Sequence, residues 1–249
     1  MKYQLAINRN KNINISIIIP VLNEGKTISL CLDAIKNASN VEVIVVDGRS
    51  EDETVAIAQS FGIKVLSSPP GRATQMNIGA AAATGDVLLF LHADTRLPNN
   101  FDTMILQALS AFPGRNLGTS QNTIAGAFEL KIDSEMPSLR IIEKMVNLRS
   151  RYLQMPYGDQ AIFLKASVFQ AIGGFPNLPI MEDFELVRRL HPLGKIEIVP
   201  APVVTSGRRW QKLGVLKTTL INQLIIIGYF LGIPPEQLAR WYRIKHKSY

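Results

Sequence analysis

The stretch Gly85–Pro98, GDVLLFLHADTRLP, places polar residues directly after an apolar run. Residues Asp86–Leu91 predict a buried strand, so His92 and Asp94 would lie at its carboxyl end. In an α/β sheet the carboxyl ends of the strands face the ligand cleft, where an Asp can hold a hard cation against phosphate oxygens. The alternative is that Asp94 only caps the turn that follows the strand.

Polar side chains also follow the first two apolar runs of the chain. Pro20, Asn23 and Glu24 lie where the first run ends, and Asp47 lies where the second run ends. Residues at such positions can hold a ribose or a base edge. Asn23 and Glu24 are equally well explained as the cap and first-turn acid of a helix. Neither a GxGxxG nor a GxxxxGK[ST] motif follows the first run, which excludes a dinucleotide fingerprint and a P-loop.

Arginines occupy two positions suited to phosphate binding. Arg72 opens a predicted helix after Gly71, and Arg208, Arg209 and Trp210 follow an extended run near the carboxyl end of the chain. A guanidinium group can bind phosphate oxygens in bidentate fashion. The alternative for the second group is a basic cluster close to a membrane.

A second set of polar residues lies in the later half of the chain. Asp159 and Gln160 precede a strand-like run, and Glu182 and Asp183 begin a predicted helix. A helix amino terminus favours the charged form of a carboxylate, and an ionised Asp can accept a proton as a general base. The alternative is that Glu182 and Asp183 are ordinary first-turn acids.

The elements that must position these residues alternate between strand and helix, with connections of the length that βαβ units need. The first hundred residues therefore predict an α/β fold with a Rossmann-like, mainly parallel sheet flanked by helices. The predicted strands are Ile15–Pro20, Val41–Val46, Ile63–Ser67 and Asp86–Leu91, and the predicted helices are Gly25–Ala38, Asp52–Phe61 and Arg72–Ala83.

The second half has a looser pattern. It predicts a helix up to Phe112, a Gly- and Asn-rich loop at 113–122, an extended run Thr123–Ile132 and a helix Ser138–Leu153. On that last helix we expect one apolar side to face the core. Its residues are Ile141, Ile142, Met145, Val146 and Leu148.

An apolar segment, Leu213–Ile233, precedes Pro234-Pro235 and a last short helix. Its most apolar part is too short to span a bilayer, and Lys217 interrupts the longer window. We expect a C-terminal helical tail that packs on the catalytic domain, pairs with a second copy, or lies on a membrane surface with Trp241 at the interface.

Composition sets the broader limits. The chain has 249 residues, of which 47% are hydrophobic and 19% are charged, as in ordinary globular proteins. A single cysteine, Cys31, excludes an intrachain disulfide and fits a reducing compartment. The first fourteen residues lack the apolar core of a signal peptide, so we expect a cytoplasmic protein, with attachment to the inner face of the membrane as an alternative.

The net charge of +7 is concentrated at one end of the chain. From Ser206 onward there are eight Lys and Arg residues against Glu236 alone, so residues 1–205 are neutral overall. A neutral body with a basic tail argues against nucleic acid as a partner. It suits a phosphate-bearing ligand or an anionic membrane surface, and the alternative is a solvated basic tail.

Several motifs occur in the order and approximate spacing of family 2 glycosyltransferases. They are IIPVLNE, VVDGRSEDET, QMNIGAA, GDVLLFLHADT and MEDFELVRRL, and together they extend from about Ile15 to Trp210. The sequence most resembles the subgroup described as radical-SAM/selenodomain-associated or arsenosugar-biosynthesis glycosyltransferases. The resemblance implies a GT-A fold, a nucleotide-sugar donor such as a UDP- or GDP-sugar, a divalent cation (Mn²⁺ or Mg²⁺) and an inverting mechanism.

The resemblance also implies roles for single residues. Pro20, Glu24 and Asp47 would surround the base and ribose of the donor, Asp94 would bind the metal beside the diphosphate, and Asp183 would be the catalytic base. Arg208, Arg209 and Trp210 resemble a Gln-x-x-Arg-Trp motif that clamps the diphosphate, although the Gln is missing. The remaining predicted donor-side residues are Arg72 and His92, and the acceptor-side residues are Asp159, Gln160 and Glu182.

The sequence departs from the family pattern at three positions. His92 stands where the family usually has the first acid of its Asp-x-Asp, Gly48 replaces a frequent acid, and Met76 replaces an Arg. A neutral imidazole is a poorer ligand than a carboxylate for Mg²⁺ but an acceptable one for Mn²⁺. Competing functions are a nucleotidyltransferase on a similar sheet and a catalytically silent module that binds a nucleotide sugar.

The predicted organisation is a GT-A domain at residues 1–210 followed by a helical segment at 211–249 that is apolar and basic. Within the domain, the donor half covers about 15–98 and the acceptor half about 99–210. The acceptor itself is expected to carry a hydroxyl group.

Overall fold

The computed structural model of the chain describes residues 13–109 and 123–247, with side chains described up to Tyr242. Three regions named above lie outside the described residues. They are the end of the predicted helix at 110–112, the predicted loop at 113–122 and nearly all of the first fourteen residues.

The described strands form one mixed sheet of eight strands in the order β3-β2-β1-β4-β7-β6-β8-β5. Strands β1 to β4 are mutually parallel, while β7 runs antiparallel to both β4 and β6. The mainly parallel α/β sheet predicted from the sequence is therefore confirmed. The strands are β1 Ile15–Val21, β2 Val41–Asp47, β3 Lys64–Ser67, β4 Val87–Phe90, β5 Thr95–Arg96, β6 Thr123–Asp133, β7 Phe163–Lys165 and β8 Lys195–Ser206.

Ten α-helices of the described residues flank or follow this sheet, and a 3-10 turn at Gly158–Gln160 precedes β7. The helices are α1 Ile28–Ile35, α2 Thr54–Ser60, α3 Arg72–Ala82, α4 Phe101–Ala108, α5 Pro137–Leu153, α6 Ala166–Ala171, α7 Glu182–Leu190, α8 Arg208–Leu213, α9 Val215–Phe230 and α10 Pro235–Lys247.

The central strand β1 is buried on both faces, as its β-branched sequence predicts. Alternate residues point to opposite faces, so Ile17 and Ile19 join the apolar cluster on one side of the sheet and Ile18 joins the cluster on the other. Helix α3 lies close to the second face at Gly79, where a Cβ atom would stand 2.4 Å from Ile18 Cγ2. A glycine at this position permits the close packing of helix and sheet.

The prediction of which α5 residues face the core is wrong for part of the helix. Ile142 and Val146 pack against the cluster around Leu130, but Ile141, Met145 and Leu148 are exposed. Polar side chains of α5 take the inward positions because they bond to the backbone of β6. Glu143 accepts a hydrogen bond from the Ile132 N–H, and Asn147 bonds to both the N–H and the C=O of Leu130.

The C-terminal helical tail is present as α8, α9 and α10. Among the described residues, no helix combines the length and the apolar character that crossing a bilayer requires. The division predicted at residue 210 falls within α8 and stays a prediction. Helix α9 packs through Ile221 and Ile225 on Met181 and Phe184, close to the start of α7.

We predict that Gln75→Leu lowers the free energy of unfolding by about 1–3 kcal/mol. Gln75 is 4% exposed, and its Nε2 donates to the C=O groups of Val21 and Val46, at 2.8 Å each. These bonds join α3 to the carboxyl ends of β1 and β2. Chemical denaturation measures the loss, and Gln59→Leu on the exposed side of α2 is the matched control, with an expected change under about 0.5 kcal/mol. Equal effects of the two changes would contradict this account.

Candidate functional site

The strand register brings several predicted site residues to one edge of the sheet. Val21 of β1 is paired with Asp47 of β2, and β4 lies on the other side of β1. The segments that carry Glu24, Asp47, His92 and Asp94 therefore leave the sheet next to one another. This is the ligand-facing edge expected for parallel strands.

Asp47 closes its own turn. Its carboxylate accepts hydrogen bonds from the backbone N–H groups of Arg49 at 3.1 Å and Ser50 at 3.1 Å. The neighbouring loop is tied to the same turn through Asn23, whose N–H donates to Ser50 Oγ and whose Oδ1 accepts from the Glu51 N–H. Asn23 thus links two loops and does not cap α1, which begins at Ile28.

Arg208 forms an ion pair with two carboxylates from different loops. Its Nη2 lies 2.9 Å from Glu24 Oε2 and 3.1 Å from Asp94 Oδ2. A cationic group therefore stands between two carboxylates at the edge of the sheet. The described contact of the Asp94 carboxylate is this guanidinium, which disfavours the alternative that Asp94 is a turn cap.

The start of α7 carries the second carboxylate pair. Glu182 is buried, with a side chain 4% exposed, and its Oε1 lies 3.2 Å from Arg72 Nη1. Burial raises the pKa of Glu182, while the charge of Arg72 acts in the opposite direction. The positive charge of Arg72 therefore offsets the negative charge of the buried Glu182 carboxylate.

Asp183 is held by the backbone. Its Oδ2 accepts a hydrogen bond from the Gly158 N–H at 2.7 Å, and its Oδ1 accepts from the Phe184 N–H at 2.7 Å. A Cβ at Gly158 would stand 3.1 Å from His92 Nε2 and 3.2 Å from Asp183 Oδ2. The absence of a side chain at Gly158 thus lets the imidazole and the carboxylate approach the same short segment.

His92 lines one small cavity together with Arg72, Gly158 and Asp183. Burial, reinforced by the nearby Arg72 charge, lowers the pKa of His92 to about 4, although Asp94 and Asp183 oppose the shift. The imidazole is therefore neutral near pH 7 and can donate one hydrogen bond and accept another.

Asp159 is a second buried acid of the site whose pKa is raised. Its Oδ1 is buried without a hydrogen-bond partner in the described part of the chain. Burial and, secondarily, the charge of Asp183 raise the pKa of Asp159 to about 6, against the opposing effect of Arg149. Arg149 also lies over the Tyr157 ring, with its Cζ 3.5 Å from the centroid.

Sequence reasoning did not identify Arg149, Tyr157 or Gly158 as parts of the site. Arg149 lies near the end of α5, thirty-four residues before Asp183, and only the fold brings that helix end beside the 3-10 turn. For Tyr157 and Gly158 the sequence does contain a signal, because they directly precede the predicted site residues Asp159 and Gln160.

Other predicted site residues have different surroundings. Gln160 is fully buried, and its amide bonds to Ser150 Oγ and to the Phe128 C=O. Trp210 packs on the apolar cluster around Leu130. The remaining two are Pro20, half-buried within β1, and Arg209, which bonds to Tyr242 and to Asn222 Oδ1.

The described residues contain no cluster of three or more His, Cys, Asp and Glu side chains that could enclose a metal ion. Asp94 and Glu24 form an anionic pair that already attracts one cationic group. Mg²⁺ usually takes one or two carboxylates together with substrate phosphates, so this donor set fits a cation that arrives with a diphosphate.

We predict that Asp159→Asn stabilises the protein at neutral pH. A carboxyl group whose pKa rises from its ordinary value of 3.8 to about 6 on folding contributes stability that is present below pH 3.8 and is lost as the pH rises through 6. The gain in unfolding free energy from Asp159→Asn should therefore grow between pH 4 and pH 6.5 and then level off, at up to about 3 kcal/mol. Urea unfolding of both proteins across that pH range measures the difference, and a pH-independent difference would contradict the assignment.

Comparison with known proteins gives a consistent result for the fold. S. aureus TarS in complex with UDP superposes with a TM-score of 0.62 and 17% identity, covering 78% of this chain and 60% of that one. Glucosyl-3-phosphoglycerate synthase from Mycobacterium tuberculosis, in complex with Mn²⁺, UDP and glucosyl-3-phosphoglycerate, gives 0.59 and 20%, covering 89% and 81%. The fold of this chain is the GT-A fold that the sequence resemblance implied.

Sequence comparison identifies the family. "Probable glycosyltransferase YdaM" of Bacillus subtilis (strain 168) is 25% identical over 265 residues, which covers 94% of this chain and 59% of the relative. The chain thus spans less than two thirds of that relative's length. The sequence model described as "Glycosyl transferase family 2" matches residues 16–172, which is more than half of the chain. The protein belongs to glycosyl transferase family 2.

Proposed function

We propose that the protein transfers a sugar from a UDP- or GDP-sugar to a hydroxyl-bearing acceptor, with inversion at the anomeric carbon. The observation that carries the proposal is the Asp183 carboxylate, which two backbone N–H groups fix at the ligand-facing edge of a GT-A fold. Family membership supports glycosyl transfer in general. The inverting mechanism and the residue roles are those that the family resemblance implies, and we propose them for this chain.

The proposed reaction is a single displacement in which Asp183 is the general base. The acceptor oxygen forms a bond to the anomeric carbon while the bond from that carbon to the diphosphate oxygen breaks. The acceptor proton passes to the Asp183 carboxylate, and the nucleoside diphosphate leaves with the bonding electrons. The two backbone hydrogen bonds fix the direction of the Asp183 carboxylate, which is the group we propose to accept this proton.

On the donor side we assign the diphosphate to the edge occupied by Glu24, Asp94 and Arg208. A divalent cation, Mn²⁺ or Mg²⁺, would offset the charge that develops on the leaving group. Asp94 is the residue we propose to hold it. Arg208 is the counter-ion of Asp94, and once a cation binds Asp94 the guanidinium would be free to pair with a diphosphate oxygen.

The remaining predicted donor residues support binding of the nucleotide. Pro20 and Asp47 lie at the ends of β1 and β2, where we place the base and ribose. His92, neutral near pH 7, suits a hydrogen bond to a donor hydroxyl better than a charge contact. We retain Arg209 and Trp210 as donor-side predictions, although their described contacts are with other parts of the protein.

On the acceptor side we assign Asp159 and Glu182 to the neighbourhood of the attacking hydroxyl. Asp159 has a buried oxygen without a described partner, which an acceptor hydroxyl could satisfy. Gln160 would act indirectly, because its buried amide holds the 3-10 turn that contains Gly158 and Asp159.

We predict that Asp183→Asn lowers kcat/KM for transfer by about 10²–10⁴-fold, the usual contribution of a general base. The dissociation constant for the donor should stay within about threefold of the parent, since the substitution leaves the donor edge intact. A panel of UDP- and GDP-sugars screened by thermal shift with Mn²⁺ supplies the donor, and nucleotide release measures turnover.

Asp133→Asn is the matched control, because Asp133 forms a surface ion pair with Arg96. It should retain parental turnover. Full activity of Asp183→Asn would contradict the assignment of Asp183 as the base. If the parent protein binds a donor tightly but shows no turnover with any acceptor, the result would favour the catalytically silent binding module. Transfer of a nucleotidyl group would favour the nucleotidyltransferase.

We predict that Arg208→Ala strengthens Mn²⁺ binding to the donor-free protein by about three- to fivefold, because removing one ion pair of this kind is worth about 1 kcal/mol or less. Asp94→Asn should abolish the binding. Electron paramagnetic resonance of free Mn²⁺ measures both changes without any turnover. The control is Arg96→Ala, which removes another exposed ion pair and should leave Mn²⁺ binding unchanged. Unchanged affinity in Arg208→Ala would show that this guanidinium does not compete with the cation.

A further inference from the structure

Helix α9 is apolar on both of its faces. Ile221 and Ile225 face inward and pack against Met181, Phe184 and Leu238. On the opposite side, six apolar side chains are between 46% and 87% exposed. We call these six residues the outer face of α9, and they include Leu231, which directly follows the helix. They are Leu216, Leu220, Leu224, Ile227, Phe230 and Leu231.

The outer face of α9 is one continuous stripe. Its residues recur at the three- and four-residue spacing of a single helix side, and the stripe extends for about 22 Å at 1.5 Å per residue. A helix that is hydrophobic all round is normally buried. Phe230 makes an edge contact with the Phe184 ring, and the rest of the stripe is exposed among the described residues. An exposed apolar face of this length indicates an interaction surface.

The charged residues of α8, α9 and α10 indicate the class of partner that this surface suits. Between Lys212 and Pro235 the sequence has two basic residues, Lys212 and Lys217, and no acid. Lys212 and Lys217 are exposed on α8 and α9, and Arg240 and Trp241 are exposed on α10. A second copy of the chain would bring these cations together without a carboxylate on α8 or α9 to pair with them. Anionic lipid headgroups complement them, and Trp prefers the membrane–water interface.

We propose that the outer face of α9 docks on an anionic lipid bilayer, with the helix lying in the plane of the interface. Its Leu, Ile and Phe side chains would enter the boundary between headgroups and acyl chains, and the flanking Lys residues would contact the headgroups. The inner face of the same helix packs on Phe184, the neighbour of Asp183. Docking would therefore hold the proposed catalytic edge close to the membrane surface, although the docking itself does not rest on the proposed reaction.

Sedimentation of the full-length protein with vesicles tests this proposal. We expect binding to phosphatidylcholine vesicles that contain 30% phosphatidylglycerol, and at least tenfold weaker binding to phosphatidylcholine alone. Leu220→Gln combined with Ile227→Gln should weaken binding to the anionic vesicles at least tenfold. Lys212→Gln combined with Lys217→Gln should weaken it several-fold and reduce its sensitivity to salt.

The matched control is Leu30→Gln combined with Leu193→Gln, which alters two exposed leucines outside the stripe and should leave vesicle binding unchanged. Circular dichroism and thermal unfolding establish that each variant is folded. Failure of the parent protein to sediment with anionic vesicles would overturn the proposal. Undiminished vesicle binding by the Leu220→Gln and Ile227→Gln double variant would also overturn it. A third contradicting result would be light scattering that shows a dimer for the parent protein and a monomer for this double variant.

Discussion

The two backbone hydrogen bonds to Asp183 are the interaction on which the proposed chemistry depends. One comes from the first turn of α7, and the other comes from Gly158, twenty-five residues earlier in the chain. A carboxylate held from both sides has a fixed direction. Because Gly158 also lies against His92, the loop after β4 and the amino terminus of α7 are held in one arrangement.

Charge balance explains the rest of the cleft. Arg208 offsets Glu24 and Asp94 on one side, and Arg72 offsets Glu182 on the other. Buried or half-buried acids are costly unless such partners are present, so removing one cation disturbs more than one carboxylate. In the proposed mechanism, a ligand cation would replace Arg208 at Asp94, and an acceptor hydroxyl would bond to the buried Asp159 oxygen that has no described partner.

The strand ends were predictable because β-branched runs followed by polar residues mark them, and Glu24, Asp47 and Asp94 come to one edge as expected. The α5 face was not predictable, because an apolar stripe at helical spacing does not reveal that Glu143 and Asn147 bond to β6. Trp210 and Gln160 carry side chains that suit a ligand, yet their packing depends on long-range contacts with β6. The approach of Arg149 to Tyr157 and Asp159 likewise depends on the fold, since no local motif links it to Asp159.

The central claim is that Asp183 serves a single displacement in this GT-A cleft. The most direct measurement is proton NMR of the sugar released when water acts as the acceptor, recorded before the anomers equilibrate. With an α-linked UDP- or GDP-sugar chosen from the donor screen and Mn²⁺ present, we predict that the β-anomer appears first. First appearance of the α-anomer would contradict a single displacement and, with it, the role assigned to Asp183.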